Sequence, residues 1–572
     1  MSFMKKKFQH YIDEYHDALG KDIKKYDKLK DLDIFVLDNS MRESTVGQLR
    51  GHTIESKRAI LNEVKKCGFK HKIIASFSHM TRVDDEWMKL LIKEGEDPEY
   101  LWAFSEVTEG AKKDRTPETE IVPAGLRKMK EAGIRNVFFE VDLGDATYDF
   151  DRFSMREMCR LTKKWIRWCY ENLHQKSKVL INIRDIEAVM ETHPERVCKY
   201  VQSISKMPCD RRPFGFAYEE PGKSLPEECG HWARLIRKIM DANNFKGHLL
   251  VHVHEKFGYC DAAALQCLMD GADGIWASVC GEGASMGQAS SCVTLMNMIR
   301  LGNKKVLKAY NCKHLRRAAI EVTKITTGNP PHKRQPIFGT RALDYVFNLK
   351  KDEFHLADFF GVKAPVRITT MASAKMIQTR LIDLFGKYSG FTLEIATRMK
   401  EIILEDLRSN RKEEYMSRFG LAVLFDRAGG SLTTDMRDKI AVLGDKRPHV
   451  KYLIGEVRKI WDDLDARECN DRDDMLAFDS FYHGFMAQYF ASYRTKETKQ
   501  ALKALDMDDD GKIDWNEFKV YLIWAANEYP KTETLEDLLE IAFTEAIIPA
   551  SRDEYVSPAD IMIRRQILYI TA

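Results

Sequence analysis

The stretch Leu249–Gly258 reads LLVHVHEKFG, and its reading decides the fold. Apolar residues recur there with a period of two and end in His252 and His254. On a β-strand, residues i and i+2 leave the same face, so the two imidazoles point the same way. Neutral imidazoles side by side suit a divalent cation; a pair of solvated histidines at a strand end is the plainer alternative. A second apolar run, Asp33–Glu43 (DIFVLDNSMRE), ends in a carboxylate-rich turn that holds an arginine.

Between and around these two runs the same pattern repeats. Short apolar runs are predicted to be strands at Ile34–Leu37, Lys72–Phe77, Leu101–Phe104, Val137–Val141, Val179–Ile183, Phe214–Tyr218, His248–His254 and Gly274–Val279. Helical spacing predicts Thr53–Cys67, Asp84–Glu94, Ala124–Ala132, Ser154–Leu173, Pro194–Ser205, Leu225–Ala242, Asp261–Met269 and Ser291–Leu301. Most of these helices open on Ser, Thr, Asp or Pro, as caps prefer. Eight strand–helix units over about 270 residues match a (β/α)8 barrel. An open doubly wound sheet is the rival, but no glycine-rich nucleotide turn follows the first strand.

A barrel carries its chemistry at the C-terminal ends of its strands. Here those ends hold Asp38, Arg42 and Glu43; Glu140, Asp142 and Asp145; Arg184 and Asp185; Glu219 and Glu220; then His252 and His254, and finally GEGASMGQAS. The expectation is a metal on His252, His254 and Glu43 (or Asp38), with Arg42 beside it to neutralise developing negative charge.

Composition narrows the partners. In 572 residues, 90 Lys and Arg nearly balance 87 Asp and Glu, so neither nucleic acid nor a membrane surface is expected as a main partner. The opening MSFMKKKFQHYIDEYHD has basic residues but no apolar core behind them, unlike a secretion signal. No apolar run reaches the length of a membrane span. Twelve cysteines without a CxxC pair suit a reducing compartment, and the cytoplasm is expected.

The block LDNSMRES (37–44) resembles the first-strand signature of the HMG-CoA lyase-like superfamily, which includes isopropylmalate and homocitrate synthases and HMG-CoA lyase. The stretch from His252 to Ser290 (HVHEKFGYCDAAALQCLMDGADGIWASVCGEGASMGQAS) is similar to that family's seventh-to-eighth-strand block. NPPHKRQPIFGTRAL (329–343) resembles the linker after the barrel in the synthases, and Ala374–Glu413 their second linker subdomain. The resemblance implies Glu43, His252 and His254 as ligands of Zn2+, Mn2+ or Mg2+, with Gln288 at the position of the Asn that closes the glycine-rich block. It implies Arg42 as the catalytic arginine. The implied substrate is an α-keto acid or related acyl compound, possibly with an acyl-CoA, in a Claisen-type condensation or an HMG-CoA lyase-type aldol cleavage. A homodimer is also implied. The chain departs from the family where Glu255-Lys256 replaces Asn-Asp, where Glu219-Glu220 replaces Asp-Thr, and where Arg184 stands in place of an acid. The synthases' His-Glu-Ser-Gly-Ile-His motif, which carries their base, is absent after Gly339. A barrel that has kept its metal and lost turnover, acting as a calcium-responsive scaffold, is therefore the alternative.

The calcium in that alternative comes from Asp506–Glu517 (DMDDDGKIDWNE), which fits an EF-hand loop at every constrained position. Asp506, Asp508 and Asp510 supply carboxylates, Gly511 the sharp turn, Lys512 a backbone carbonyl, and Glu517 the closing bidentate carboxylate. Asp514 would reach the ion through water, and Ile513 would bridge to a partner loop. Candidate partners centre on Leu432, Leu476 and Val556, all expected to be silent. The expected domains are an N-terminal helix (1–30), the barrel (31–302), a helical linker region (303–410) and an all-α EF-hand domain (411–572).

Overall fold

A computed structural model describes residues 9–45, 51–75, 82–284, 286–344, 354–364, 366–408, 418–431, 433, 436, 448–468 and 474–489. Beyond 489 it describes residues 499, 502–506, 511–515, 518–519, 522, 534–540 and 542. Asp508, Asp510 and Glu517, the Leu432 bridge and the segment 544–562 with Val556 lie outside the described residues. The chain forms two compact units, residues 1–343 with 352–362, and residues 344–351 with 363–572.

In the first unit, eight parallel strands pair in sequence order and close: β1 (Phe35–Asp38), β2 (Lys72–Ala75), β3 (Leu101–Glu106), β4 (Asn136–Val141), β5 (Val179–Ile183), β6 (Gly215–Glu220), β7 (His248–Val253) and β8 (Gly274–Ala277). β8 returns to β1 through the register Phe35↔Gly274 to Asp38↔Ala277. This is the expected barrel, with strand positions shifted by only a residue or two. The rival open sheet is excluded by that closure.

The helices end where local chemistry ends them. Thr53 and Ser154 cap their helices through side-chain oxygens, and Ser154 forms a reciprocal capping box with Glu157. The helix Ala124–Ala132 stops at Gly133, whose φ of 81° is open to glycine at little cost. A short helix, Ile186–Thr192, between β5 and the helix Pro194–Ser205 lies outside the expected set. The helices Lys304–Ala309 and Cys312–Thr327 also contribute to the barrel unit's core, through Val306, Leu315 and Ala319 among others.

Two apolar layers result. Between strands and helices lies the larger core, in which Trp87, Trp165 and Tyr200 are fully buried. Inside the cylinder lies a second cluster of Leu37, Ile73, Trp102, Phe104, Phe138, Leu180, Ala217, Leu250 and Trp276. Each large member of such a layer contributes roughly 1.5–3 kcal/mol by leaving water. The plug is solid, so a ligand can approach only from above it.

The second unit has two cores. Residues Ile368 to Ile403 pack with Leu421, Phe425 and Met436, so the helix Arg418–Arg427 clusters with the segment before it. The other core gathers Val457, Trp461, Leu476, Phe481, Ile513, Phe518 and Leu538. Within it, β9 (Met475–Ala477) and β10 (Lys512–Asp514) pair antiparallel, with Ile513 opposite Leu476. The residue preceding each strand is left-handed: Asp474 at φ 63° and Gly511 at φ 82°. Each offers its carbonyl across the pair, to Trp515 N at 2.9 Å and to Phe478 N at 3.2 Å respectively. The two paired segments are thus related by a local two-fold. Among the described residues, Ile513 meets the Leu476 candidate.

Candidate metal centre

Alternation along each strand sorts the residues at the barrel mouth. Two positions above the interior plug come Asn39, Glu106, Glu140, Asn182, Glu219 and His252. Glu220 falls on the other face, where its carboxylate accepts the backbone N–H groups of Gly222, Lys223 and Ser224. Asp142 is committed to its own loop through Gly144 N and Thr147 Oγ1, and Asp145 pairs with Arg196 and His193. Of the acidic residues expected at the mouth, Glu43, Glu140 and Glu219 turn inward.

His252 is buried. Its Nδ1 lies 2.8 Å from the Trp276 carbonyl, so it carries the proton and donates. The ring stacks on the Trp276 indole at 3.9 Å between centroids. Nε2 is then left with a lone pair, buried and without a hydrogen-bond partner. Burial, followed by the nearby His254 ring, pushes the His252 pKa down to about 3, so the imidazole stays neutral and available as a ligand. His254 stands against it edge-on at 4.5 Å, with Nε2 at 3.1 Å from Glu219 Oε1.

Glu43 reaches the same point from the other side of the sequence. Its ligand atom and those of His252 and His254 all lie within 4.8 Å of one another. Glu43 Oε1 accepts from Ala284 N at 3.2 Å, and Oε2 forms an ion pair with Arg42 Nη1. The Arg42 guanidinium is buried and sits 4.2 Å above the Phe104 ring. Gln288 lies beside the trio; its Oε1 accepts from Asn39 Nδ2 at 3.1 Å and its Nε2 donates to the Glu282 carbonyl. Asp38, the alternative to Glu43, turns onto Ser40 through both of its oxygens, and burial raises its carboxyl to about 7.

The glycine-rich turn makes room for this arrangement. A Cβ on Gly283 would stand 2.8 Å from Glu43 Cγ and 2.8 Å from Gln288 Nε2. Gly283→Ala is therefore expected to push Glu43 out of line and weaken metal binding on the order of tenfold. Competition against a chromophoric chelator reads this directly, and an unchanged affinity would show that Glu43 does not hold the ion.

No family model matches the chain, and no curated protein does. Among solved structures it is similar to the hydroxymethylglutaryl-CoA lyase of Pseudomonas aeruginosa, at 13% identity and a TM-score of 0.40, over 54% of this chain and 95% of that one. It is similar to the HMG-CoA lyase of Brucella melitensis at 12% identity and a TM-score of 0.37, over 51% and 99% of the two chains. It is also similar to the carboxyl transferase domain of Rhizobium etli pyruvate carboxylase, solved with pyruvate, at 12% identity and a TM-score of 0.39, over 69% and 64%.

Two carboxyl groups at the mouth are driven apart in acidity. Burial and the neighbouring Glu219 hold Glu140 well above the ordinary carboxylate range, in its neutral form. Glu219 is buried as well, but its hydrogen bond with His254 and the charge of Arg42 outweigh burial and hold its carboxyl below the ordinary range. A proton donor and an anion therefore face the same barrel mouth, on β4 and β6 with Asn182 of β5 between them. Reading the strand ends as a list missed Glu106, Asn39 and Asn182; counting two positions on from each interior apolar residue would have found them.

Proposed function

We propose that the first unit binds a divalent cation through His252, His254 and Glu43 and acts on the C–C bond of a small carbonyl substrate. The α-keto acid and acyl-CoA class is the one suggested by the LDNSMRES and HVHEKFG blocks. One observation carries the reading: Glu43 converges within 4.8 Å on His252 and His254, more than two hundred positions away, and His252 presents a buried nitrogen without a hydrogen-bond partner. The donor set, two imidazoles and a carboxylate, fits Zn2+, Mn2+ or Mg2+. Such an ion supplies Lewis-acid polarisation of a carbonyl. Arg42 then stabilises developing oxyanion charge, Glu140 holds a proton at its carboxyl, and Trp276 fixes the His252 tautomer. Gln288 packs beside the ligands and is proposed as an auxiliary one.

The second unit is proposed to carry an EF-hand pair with one competent loop, 506–517. The observations in support are the Ile513–Leu476 pairing and the Asp506 carboxylate, which accepts Gly511 N at 2.9 Å. Loop positions one and twelve of the partner are Cys469 and Ser480, which offer no carboxylate. Calcium would order this pair and modulate the barrel. A cytoplasmic homodimer is proposed as the setting. Eleven described cysteines are free thiols, and among the described residues no helix is long and apolar enough to cross a membrane.

A second reading, a metal-holding scaffold without turnover, is favoured by the missing base motif after Gly339. Elemental analysis after calcium chelation, followed by a thiol assay for CoA release over a panel of α-keto acids with acetyl-CoA, separates the readings. Stoichiometric metal with CoA release supports the enzyme. Metal with silence across the panel supports the scaffold, and absence of metal overturns both.

A further inference from the structure

The loop that presents Arg42 and Glu43 is braced by a buried pair that belongs to no ligand set. Lys57, in the helix Ile54–Lys66, is completely inaccessible to solvent. An ammonium is seldom buried unless it is paired and fully bonded, because it must give up its hydration. Its Nζ donates to the Met41 carbonyl at 2.5 Å and to Thr45 Oγ1 at 3.3 Å, and pairs with Asp84 Oδ1 at 2.9 Å. Asp84 is itself buried, in the first turn of the helix Arg82–Lys93, where an acidic side chain suits the helix dipole.

The partners that Lys57 grips are the two ends of the Arg42–Glu43 turn. Met41 immediately precedes Arg42, and Thr45 closes the turn by donating its hydroxyl to the Met41 and Arg42 carbonyls at 2.9 and 3.1 Å. His52 Nδ1 lies 3.2 Å from the same hydroxyl, and its Nε2 lies 3.8 Å from Asp84. Within the turn, Arg42 N and Glu43 N both bond the Asn39 carbonyl. The backbone that aims Arg42 and Glu43 is thus held at Asn39, inside the mouth, and at Met41 and Thr45 by one ammonium.

We infer that Lys57, neutralised by Asp84 and seconded by Thr45 and His52, is a positioning residue that sets the direction of Arg42 and Glu43 toward the two imidazoles. The inference rests on the metal reading above and extends it to side chains that touch neither ion nor substrate. Burying an ion pair is a poor way to gain stability, since an apolar pair of similar volume does as well. Its presence here points instead to the two acceptors at the ends of the turn, which the one ammonium serves together.

That difference sets the test. Lys57→Met, Asp84→Leu, the double variant and Thr45→Val are compared with the wild-type full chain for Mn2+ and Zn2+ affinity and for thermal midpoint. Each single change at the ion pair should lower both quantities. The double change should restore the midpoint, because no charge is left unpaired, while affinity stays about 10- to 100-fold down, the range found for residues that orient ligands. Thr45→Val, a near-isosteric change, should lower affinity several-fold while the protein stays folded. Wild-type affinity in the double variant and in Thr45→Val would overturn this inference alone. A wild-type protein that takes up neither ion would overturn the metal reading and this one with it.

Discussion

Replacing His252 by alanine is expected to lower the barrel's affinity for the proposed divalent cation by more than about 100-fold, beyond the loss typical of a residue that merely orients a ligand. The expectation follows from how completely the ring is specified. Its Nδ1 is committed to the Trp276 carbonyl, its face to the indole, and its depressed pKa removes the proton as a competitor, which leaves Nε2 as the one atom with nothing to do. Alanine also leaves space beside Trp276, so the variant should be checked for near-ultraviolet circular dichroism before its metal content is scored. The readout is elemental analysis of calcium-free protein. A His252→Ala protein that retains its metal would sink the assignment of all three ligands, since His254 and Glu43 are defined by their distance to it.

The proposed calcium loop predicts an effect of similar size in the other unit. Glu517→Gln keeps the length of the twelfth side chain but removes the charge that the proposed bidentate ligation requires. Affinity, expected near 10⁻⁷ to 10⁻⁵ M for a sensor-type hand, should fall by an order of magnitude or more. Titration calorimetry should give one site in the wild type, because the partner loop opposite Ile513 has Cys469 and Ser480 where ligands would stand. Binding as tight in the variant as in the wild type would place the ion elsewhere, and a stoichiometry of two would show that the partner loop is competent. The proposed ligands of the one ion lie in the first unit and those of the other in the second.

Most of the barrel was legible in the chain. Leu249–Val253 announces a strand by its alternation, and the helices flanked by Thr53, Ser154 and Gly133 announce their ends by capping. Spacing offered Leu432, Leu476 and Val556 as bridges without choosing between them, and among the described residues it is Leu476 that pairs with Ile513. The same local signals were silent on direction: Glu219 and Glu220 are neighbours of identical chemistry, yet one faces His254 and the other binds three backbone amides of its own turn.

By itself, then, the sequence determined the eight strand–helix units, the two same-face histidines and the twelve-residue acidic loop, because each depends on contacts within a few residues. Tertiary structure decided that Asp38 turns onto Ser40 while Glu43 meets the two imidazoles, that Gly283 must lack a side chain, and that Lys57 and Asp84 meet beneath the turn. Those outcomes depend on barrel closure, which brings β1 against β8 and sets the helices Ile54–Lys66 and Arg82–Lys93 beside the turn after β1. An encounter between residues 27 or 240 positions apart leaves no periodic trace in the chain.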